Sequence, residues 1–246
     1  TAGMEIQDIY AAQQEALCAV VLEHADRSTV AVPACPHWRV RDVLAHVAGL
    51  ARDAATGNLP TMDLLEQWRD DDVAVTRDTM TAEQVDRTSD HSLEDLAADW
   101  REVTGTLMPM LSGSVAFPDP APFGLGAILV TDLAIHDQDV RTALGLPRAD
   151  SGPAYSLALA TYGFGVDYRI RQLGLGALGL RYGDTVRSLG EGEPAATVAA
   201  DRFELLRALA GRRSRAQILA FEWDGDPGPY LGIIPAYGER ADDLVD

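Results

Sequence analysis

Positive charge is scarce in this sequence, and it comes in one form. Twenty bases stand against 38 acids for a formal net charge of −18, and every base is arginine. The missing lysine reflects the codon bias of a GC-rich bacterial genome and carries no functional content. The deficit of bases does carry some. A field of that sign repels phosphate backbones and anionic lipid, so neither nucleic acid nor a membrane surface is an expected partner. Long hydrophobic runs are missing too: no apolar stretch approaches the roughly 18–20 residues of a membrane span, and no basic start leads into an apolar signal core. Cysteine is nearly absent. Cys18 and Cys35 alone make no disulfide framework, so a reducing, cytoplasmic setting is expected. No internal repeat is visible.

What remains is ordinary globular material. The chain has 246 residues, 47% hydrophobic and 24% charged, enough for one large domain or two small ones. A chain of this size buries roughly 70–75% of its unfolded surface, so its core needs no covalent staple. The acids are unevenly spread: 25 acids and 10 bases through Asp150 give −15, and 13 and 10 thereafter give −3.

Apolar residues at helical spacing, from Ile6 through Tyr10, Leu17 and Val21, predict a first helix over Met4 to His24. A second is expected over Trp38 to Thr56, closed near Gly57, and shorter ones over Asp63 to Asp70 and Glu83 to Arg87. Ser92 with Asp95 three residues later resembles a capping box and opens a helix through Leu107. Leu125 to Leu144 reads as a long apolar helix stopped by Gly145 and Pro147. After Pro147 the texture changes. A helix over Ala154 to Leu173 precedes short strands at Leu178 to Tyr182, Ala196 to Val198 and Gln217 to Trp223, with an Asp201-capped helix from Arg202 to Ala210. The expected fold is therefore mainly α: an antiparallel four-helix bundle over residues 4–147, then a small α+β domain over 148–246.

Only five histidines are available to do chemistry, and two stand out. His136 follows Asp132 by four residues in an apolar helix, so both side chains project from one face, the spacing with which two groups share a divalent ion. His46 lies in the apolar stretch Val43-Leu44-Ala45-His46-Val47-Ala48. If the two helices are neighbours, His46, Asp132 and His136 form a two-histidine, one-carboxylate set with a position left open for water or substrate. The plain alternative is a hydrogen-bonded core histidine and a helix-stabilising Asp–His pair.

Here the residues carry a resemblance. Cys35-Pro36-His37-Trp38-Arg39-Val40-Arg41-Asp42-Val43-Leu44-Ala45-His46-Val47-Ala48-Gly49 is similar to a signature of the mycothiol-dependent maleylpyruvate isomerase family, a branch of the DinB-like metal-binding helical bundles. Asp132-Leu133-Ala134-Ile135-His136-Asp137-Gln138-Asp139-Val140-Arg141-Thr142-Ala143-Leu144-Gly145 resembles its second signature. A third, less specific likeness runs from Phe203 to Arg213. The resemblance implies a DinB-like bundle, a divalent metal, Zn²⁺, on His46, Asp132 and His136, and mycothiol as thiol cosubstrate. Asp132 stands where the family has glutamate, an arm about 1.5 Å shorter. His37 and Arg39 replace the small residues that usually flank Trp38. Asp139, one turn after His136, matches the family's aspartate and is expected to support that ring, whereas Asp42 is expected to cap its helix.

The remaining candidates read more simply. Cys35 and Cys18 are small buried residues, Trp38, Trp68 and Trp100 are packing residues, and Asp70 to Asp72 form a solvated face. Arg212 and Arg213, with Arg215, make the densest positive cluster in an acidic chain, and one of the first two is a candidate to hold a substrate carboxylate. Together these readings describe a metal-dependent, thiol-using enzyme, a monomer or homodimer, that isomerises or conjugates a small electrophilic, carboxylated substrate. Two alternatives stay open. One is a non-catalytic protein of the same fold that binds a metal or small ligand as a stress or sensor protein. The other is a hydrolase using metal-activated water.

Overall fold

Apolar stripes on helices can be buried only against other apolar surface, and most helices of the first unit bury theirs against one another. The computed structural model describes residues 4–62 and 71–246, which divide into two compact units, up to Ala158 and from Leu159 to Asp246.

In the first unit, helix α1 (Ile6–Glu23) leads through a short 3₁₀ turn to an antiparallel pair, β1 (Ala31–Val32) and β2 (Cys35–Arg39). Four helices follow: α2 (Val40–Thr56), α3 (Asp71–Asp86), α4 (Leu93–Leu111) and α5 (Leu125–Leu144). α1 packs on α4 and α5, and α2 packs on α3, α4 and α5. The buried face of α1, Tyr10, Gln14, Leu17, Cys18 and Val21, follows the i, i+4, i+7 rhythm of a half-buried helix. Its anchor is polar as well as apolar. Trp100 of α4 is fully buried, meets the Tyr10 ring edge to face at 6.5 Å, and donates from Nε1 to the Tyr10 hydroxyl at 2.9 Å.

α5 spans the expected residues, bracketed by Gly124 and Gly145, both with left-handed backbone (φ 73° and 67°), a conformation glycine adopts without a Cβ clash. α2 starts later than its periodicity suggests. Trp38 and Arg39 belong to β2, because the segment pairs with β1, Ala31 opposite Arg39. Asp42 caps α2 as expected, accepting the Arg39 backbone N–H at 2.8 Å and its guanidinium at 2.9 Å. α3 is far longer than the expected Glu83 to Arg87. Only Val73 and Gln84 of it are buried, so it presents no apolar stripe to read. The helix expected over Asp63 to Asp70, with Trp68, lies outside the described residues.

α6 (Pro153–Leu173) leads into the second unit, whose sheet has the order β4-β3-β5-β6. β3 (Ala177–Tyr182) and β4 (Thr185–Leu189) form a hairpin, β5 (Pro194–Ala199) runs parallel to β3, and β6 (Glu222–Asp224) is antiparallel to β5. α7 (Arg202–Leu209) carries the expected Asp201 cap; the carboxylate accepts the Phe203 and Glu204 backbone N–H groups. The strand expected over Gln217 to Trp223 is corrected. Arg215–Leu219 is a helix, α8, opened by a Ser214–Gln217 capping box, and only Glu222–Asp224 is extended. α9 (Gly228–Leu231) follows. The expectation of a mainly α fold with a small α+β part holds. Among the described residues no helix is long and apolar enough to cross a membrane.

Candidate metal centre

The packing of α2 on α5 brings three side chains to one point. His46 Nε2 lies 3.4 Å from Asp132 Oδ2, and His136 Nε2 lies 3.6 Å from Asp132 Oδ1. The two imidazoles meet edge to face with centroids 5.1 Å apart, and one donor atom from each of the three residues lies within 4.8 Å of the others. The His–Asp separations are long for a charge-assisted hydrogen bond, which closes to about 2.7–2.9 Å. They suit donors around a common ion: ligands about 2.1 Å from a tetrahedral centre stand about 3.4 Å from each other. The donor set therefore fits a divalent ion such as Zn²⁺, and three protein donors leave a fourth position open. The shortened acid keeps its reach, since Asp132 spans both rings. Both histidines are buried while the Asp132 side chain is 22% exposed, so the set opens to solvent beside the carboxylate.

Two further groups line the rings. Asp139, fully buried, places Oδ2 3.2 Å from His136 Nδ1 and accepts from the Cys35 thiol at 3.8 Å. Cys35 is half-buried in β2 and, with His136 and Asp139, makes a second close trio on the other ring nitrogen. Burial works against charge on His136, but Asp132, aided by Asp139 and Cys35, outweighs it and raises that pKa well above the ordinary histidine value. Trp38, also from β2, covers both imidazoles, its ring 4.8 Å from His46 and 5.8 Å from His136. It is packing, as expected, but packing against the site.

A chain of buried polar groups stands behind His46 that sequence reasoning passed over. His46 Nδ1 is 2.8 Å from Gln84 Oε1 on α3, and Gln84 Nε2 donates to Asp53 Oδ2 on α2 at 2.8 Å. Arg87 grips Asp53 with two bonds of 2.8 and 2.7 Å, and Asn58 adds a third at 3.0 Å. Burial alone would raise the Asp53 pKa, but the bonds from Arg87, Asn58 and Gln84 hold it below the usual carboxylate value. A signal did exist. Gly49 sits mid-helix on the face it shares with His46 and Asp53, at i+3 and i+7, and a Cβ there would stand 2.7 Å from Gln84 Cβ.

Arg212 and Arg213 belong to the second unit. Arg213 is buried; it bonds Glu204 at 2.6 and 2.9 Å and Asp246 at 2.8 Å, while Arg212 donates to the Ala210 carbonyl at 2.8 Å.

Residues 11–141 match the family described as "Mycothiol maleylpyruvate isomerase N-terminal domain". No curated protein matches the chain. Among solved structures, a histidine-to-alanine mutant of the mycothiol-dependent maleylpyruvate isomerase is similar over 84% of this chain and 88% of its own, with TM-score 0.54 and 13% identity. The unmutated mycothiol-dependent maleylpyruvate isomerase has the same coverage at TM-score 0.49 and 12% identity.

Proposed function

Because the chain belongs to the mycothiol maleylpyruvate isomerase N-terminal domain family, we propose that it is an enzyme that uses a low-molecular-weight thiol of the mycothiol kind. Its substrate is a small unsaturated carboxylic acid, and a divalent metal is held by His46, Asp132 and His136. The observation that carries this reading is the convergence of one donor atom from each of those three residues to within 4.8 Å of one another, with the two imidazole nitrogens 3.4 and 3.6 Å from the Asp132 carboxylate. A divalent ion bound there supplies a positive centre that favours the thiolate over the thiol at neutral pH. The side chains have separable parts. His46 and His136 serve as neutral imidazole donors, and Asp132 contributes one negative charge, which leaves the centre net positive. Asp139 holds the His136 ring from its far nitrogen. Trp38 seals both imidazoles from water on one side, and the partly exposed Asp132 marks the side from which a thiol and substrate approach.

Isomerisation then follows from ordinary thiol chemistry. The sulfur adds to one alkene carbon, the resulting single bond rotates, and expulsion of the thiol restores the double bond in the other geometry. Release of the adduct instead would make the same residues a thiol transferase. A hold on the substrate carboxylate by Arg212 or Arg213 is part of the same reading, and Arg213 is the weaker candidate because it already bonds Glu204 and Asp246.

Metal stoichiometry of protein purified without chelator, set beside His136→Ala, tests the centre; the parent should carry about one divalent ion per chain and the variant far less. A panel of unsaturated carboxylic acids with and without mycothiol tests the chemistry. Metal without thiol-dependent turnover would favour the sensor or binding-protein reading. An unmetallated parent in zinc-supplemented medium would defeat the proposed site.

A further inference from the structure

The groups behind His46 have a polarity, and it can be read from their chemistry. A carboxylate only accepts hydrogen bonds. The Gln84 amide atom 2.8 Å from Asp53 Oδ2 must therefore be the nitrogen, and Arg87 and Asn58, donors both, leave Asp53 no freedom to turn this around. The other Gln84 amide atom, 2.8 Å from His46 Nδ1, is then the oxygen, which needs a donor. A neutral imidazole has one N–H. If Gln84 claims it at Nδ1, the lone pair is left on Nε2, the atom that faces Asp132 Oδ2.

We infer that Arg87, Asp53 and Gln84 are a positioning relay that fixes His46 as its Nδ1–H tautomer and aims the Nε2 lone pair at the point shared with Asp132 and His136. The inference rests on the metal-site reading for its purpose, but not for its hydrogen-bond logic. Burial makes the relay binding: Gln84 is 0%, Asp53 1% and His46 3% exposed, so no bulk water substitutes for a missing partner. Local sequence serves the same end. Gly49 lets Gln84 approach α2 closely enough to bridge His46 and Asp53, since any side chain at position 49 would meet the Gln84 Cβ. The relay spans two helices, so α3, which contributes little apolar area, is tied to α2 by Gln84 and the adjacent Arg87.

The relay can be reversed without touching His46. In Asp53→Asn, with the amide oxygen at the Oδ1 position where Arg87 Nη1 and Asn58 Nδ2 both donate, the new –NH₂ takes the Oδ2 position, facing Gln84 and displacing the Arg87 Nη2 bond. The Gln84 amide must turn, presenting its –NH₂ to His46 Nδ1 and driving the proton to Nε2. In the double variant Asp53→Asn with Gln84→Glu, the carboxylate at position 84 accepts from both neighbours and restores the Nδ1–H form. The readout is the ¹⁵N signature of the His46 ring in metal-free protein at a pH where it is neutral, with Zn²⁺ affinity measured alongside by a chromogenic chelator. The parent should be Nδ1–H, Asp53→Asn should be Nε2–H with Zn²⁺ bound roughly 10–100-fold more weakly, and the double variant should recover both. A merely structural Asp53 would not be rescued by a change at position 84. An Nε2–H parent overturns the relay, as does an Asp53→Asn variant whose tautomer is unchanged although its amide –NH₂ faces Gln84; should that variant fail to fold, the parent spectrum alone decides. Tautomers that behave as expected in a protein binding no Zn²⁺ would uphold the relay and sink the metal site instead.

Discussion

Asp132 carries the departure from the family pattern, and its geometry decides what a change there should do. Its carboxylate already stands 3.4 and 3.6 Å from the two imidazole nitrogens. The arm shorter than the family's glutamate, taken by itself, would have Asp132→Glu keep or raise metal affinity. In the structure the aspartate arm already reaches both imidazoles, so the roughly 1.5 Å that a glutamate adds is not needed. Asp132→Glu should therefore bind Zn²⁺ no more tightly than the parent, and Asp132→Ala should lose at least the roughly 10–100-fold typical of disturbing a ligand's support. Chelator competition reads both, and undiminished binding by Asp132→Ala would remove Asp132 from the set. The buried Arg213 is decided by its partners in the same way. Arg213 holds the buried Asp246, which Arg207 also holds through two bonds, and the partly exposed Glu204, so Arg213→Ala removes bonds between charged groups without leaving Asp246 unpaired and should cost about 1.5–3 kcal/mol of stability. Denaturant titration of the parent and Arg213→Ala side by side measures that cost. The histidines and Asp132 were legible because spacing and motif both mark them. Gln84 was not, since its partners lie 38 and 31 positions away and only helix register brings them together.

Between elements, the α2–α3 contact depends on charge more than on apolar area. Asp53 has a pKa below its ordinary value, and the linkage sign follows. In the unfolded chain it takes up a proton near pH 3.9; folded, it stays ionised to lower pH, so its contribution is complete above about pH 4 and is lost as pH falls through the folded value. The stability gap between the parent and Asp53→Asn should accordingly be widest near neutrality and shrink below about pH 4, measured by urea unfolding at several pH values. A constant gap would mean the carboxylate's charge is irrelevant to the contact. The same balance explains which elements could be read in advance. α1 and α5 bury continuous stripes and have clear ends. α3 buries almost nothing apolar, β2 is set by pairing with β1 rather than by its own residues, and α8 depends on a Ser214–Gln217 box inside a segment that otherwise looks like a strand.

Across the whole molecule, −18 is a large charge to present to an anionic substrate. Repulsion of that kind weakens as the Debye length contracts from about 20–30 Å to about 7–8 Å between ~20 and ~200 mM salt. For a carboxylated substrate, kcat/KM should therefore rise with added monovalent salt, and for an uncharged analogue it should stay flat. A fall with salt would place a locally positive approach within the acidic surface.

The indole that covers the two imidazoles gives this protein an internal optical gauge. Trp38 lies 4.8 Å from the His46 ring, so its excited state senses whether those rings carry a proton, a cation or neither. Filling the centre should change the tryptophan emission without any attached dye, and Trp38→Phe should abolish most of that change, with Trp100, buried against Tyr10, continuing to glow as before.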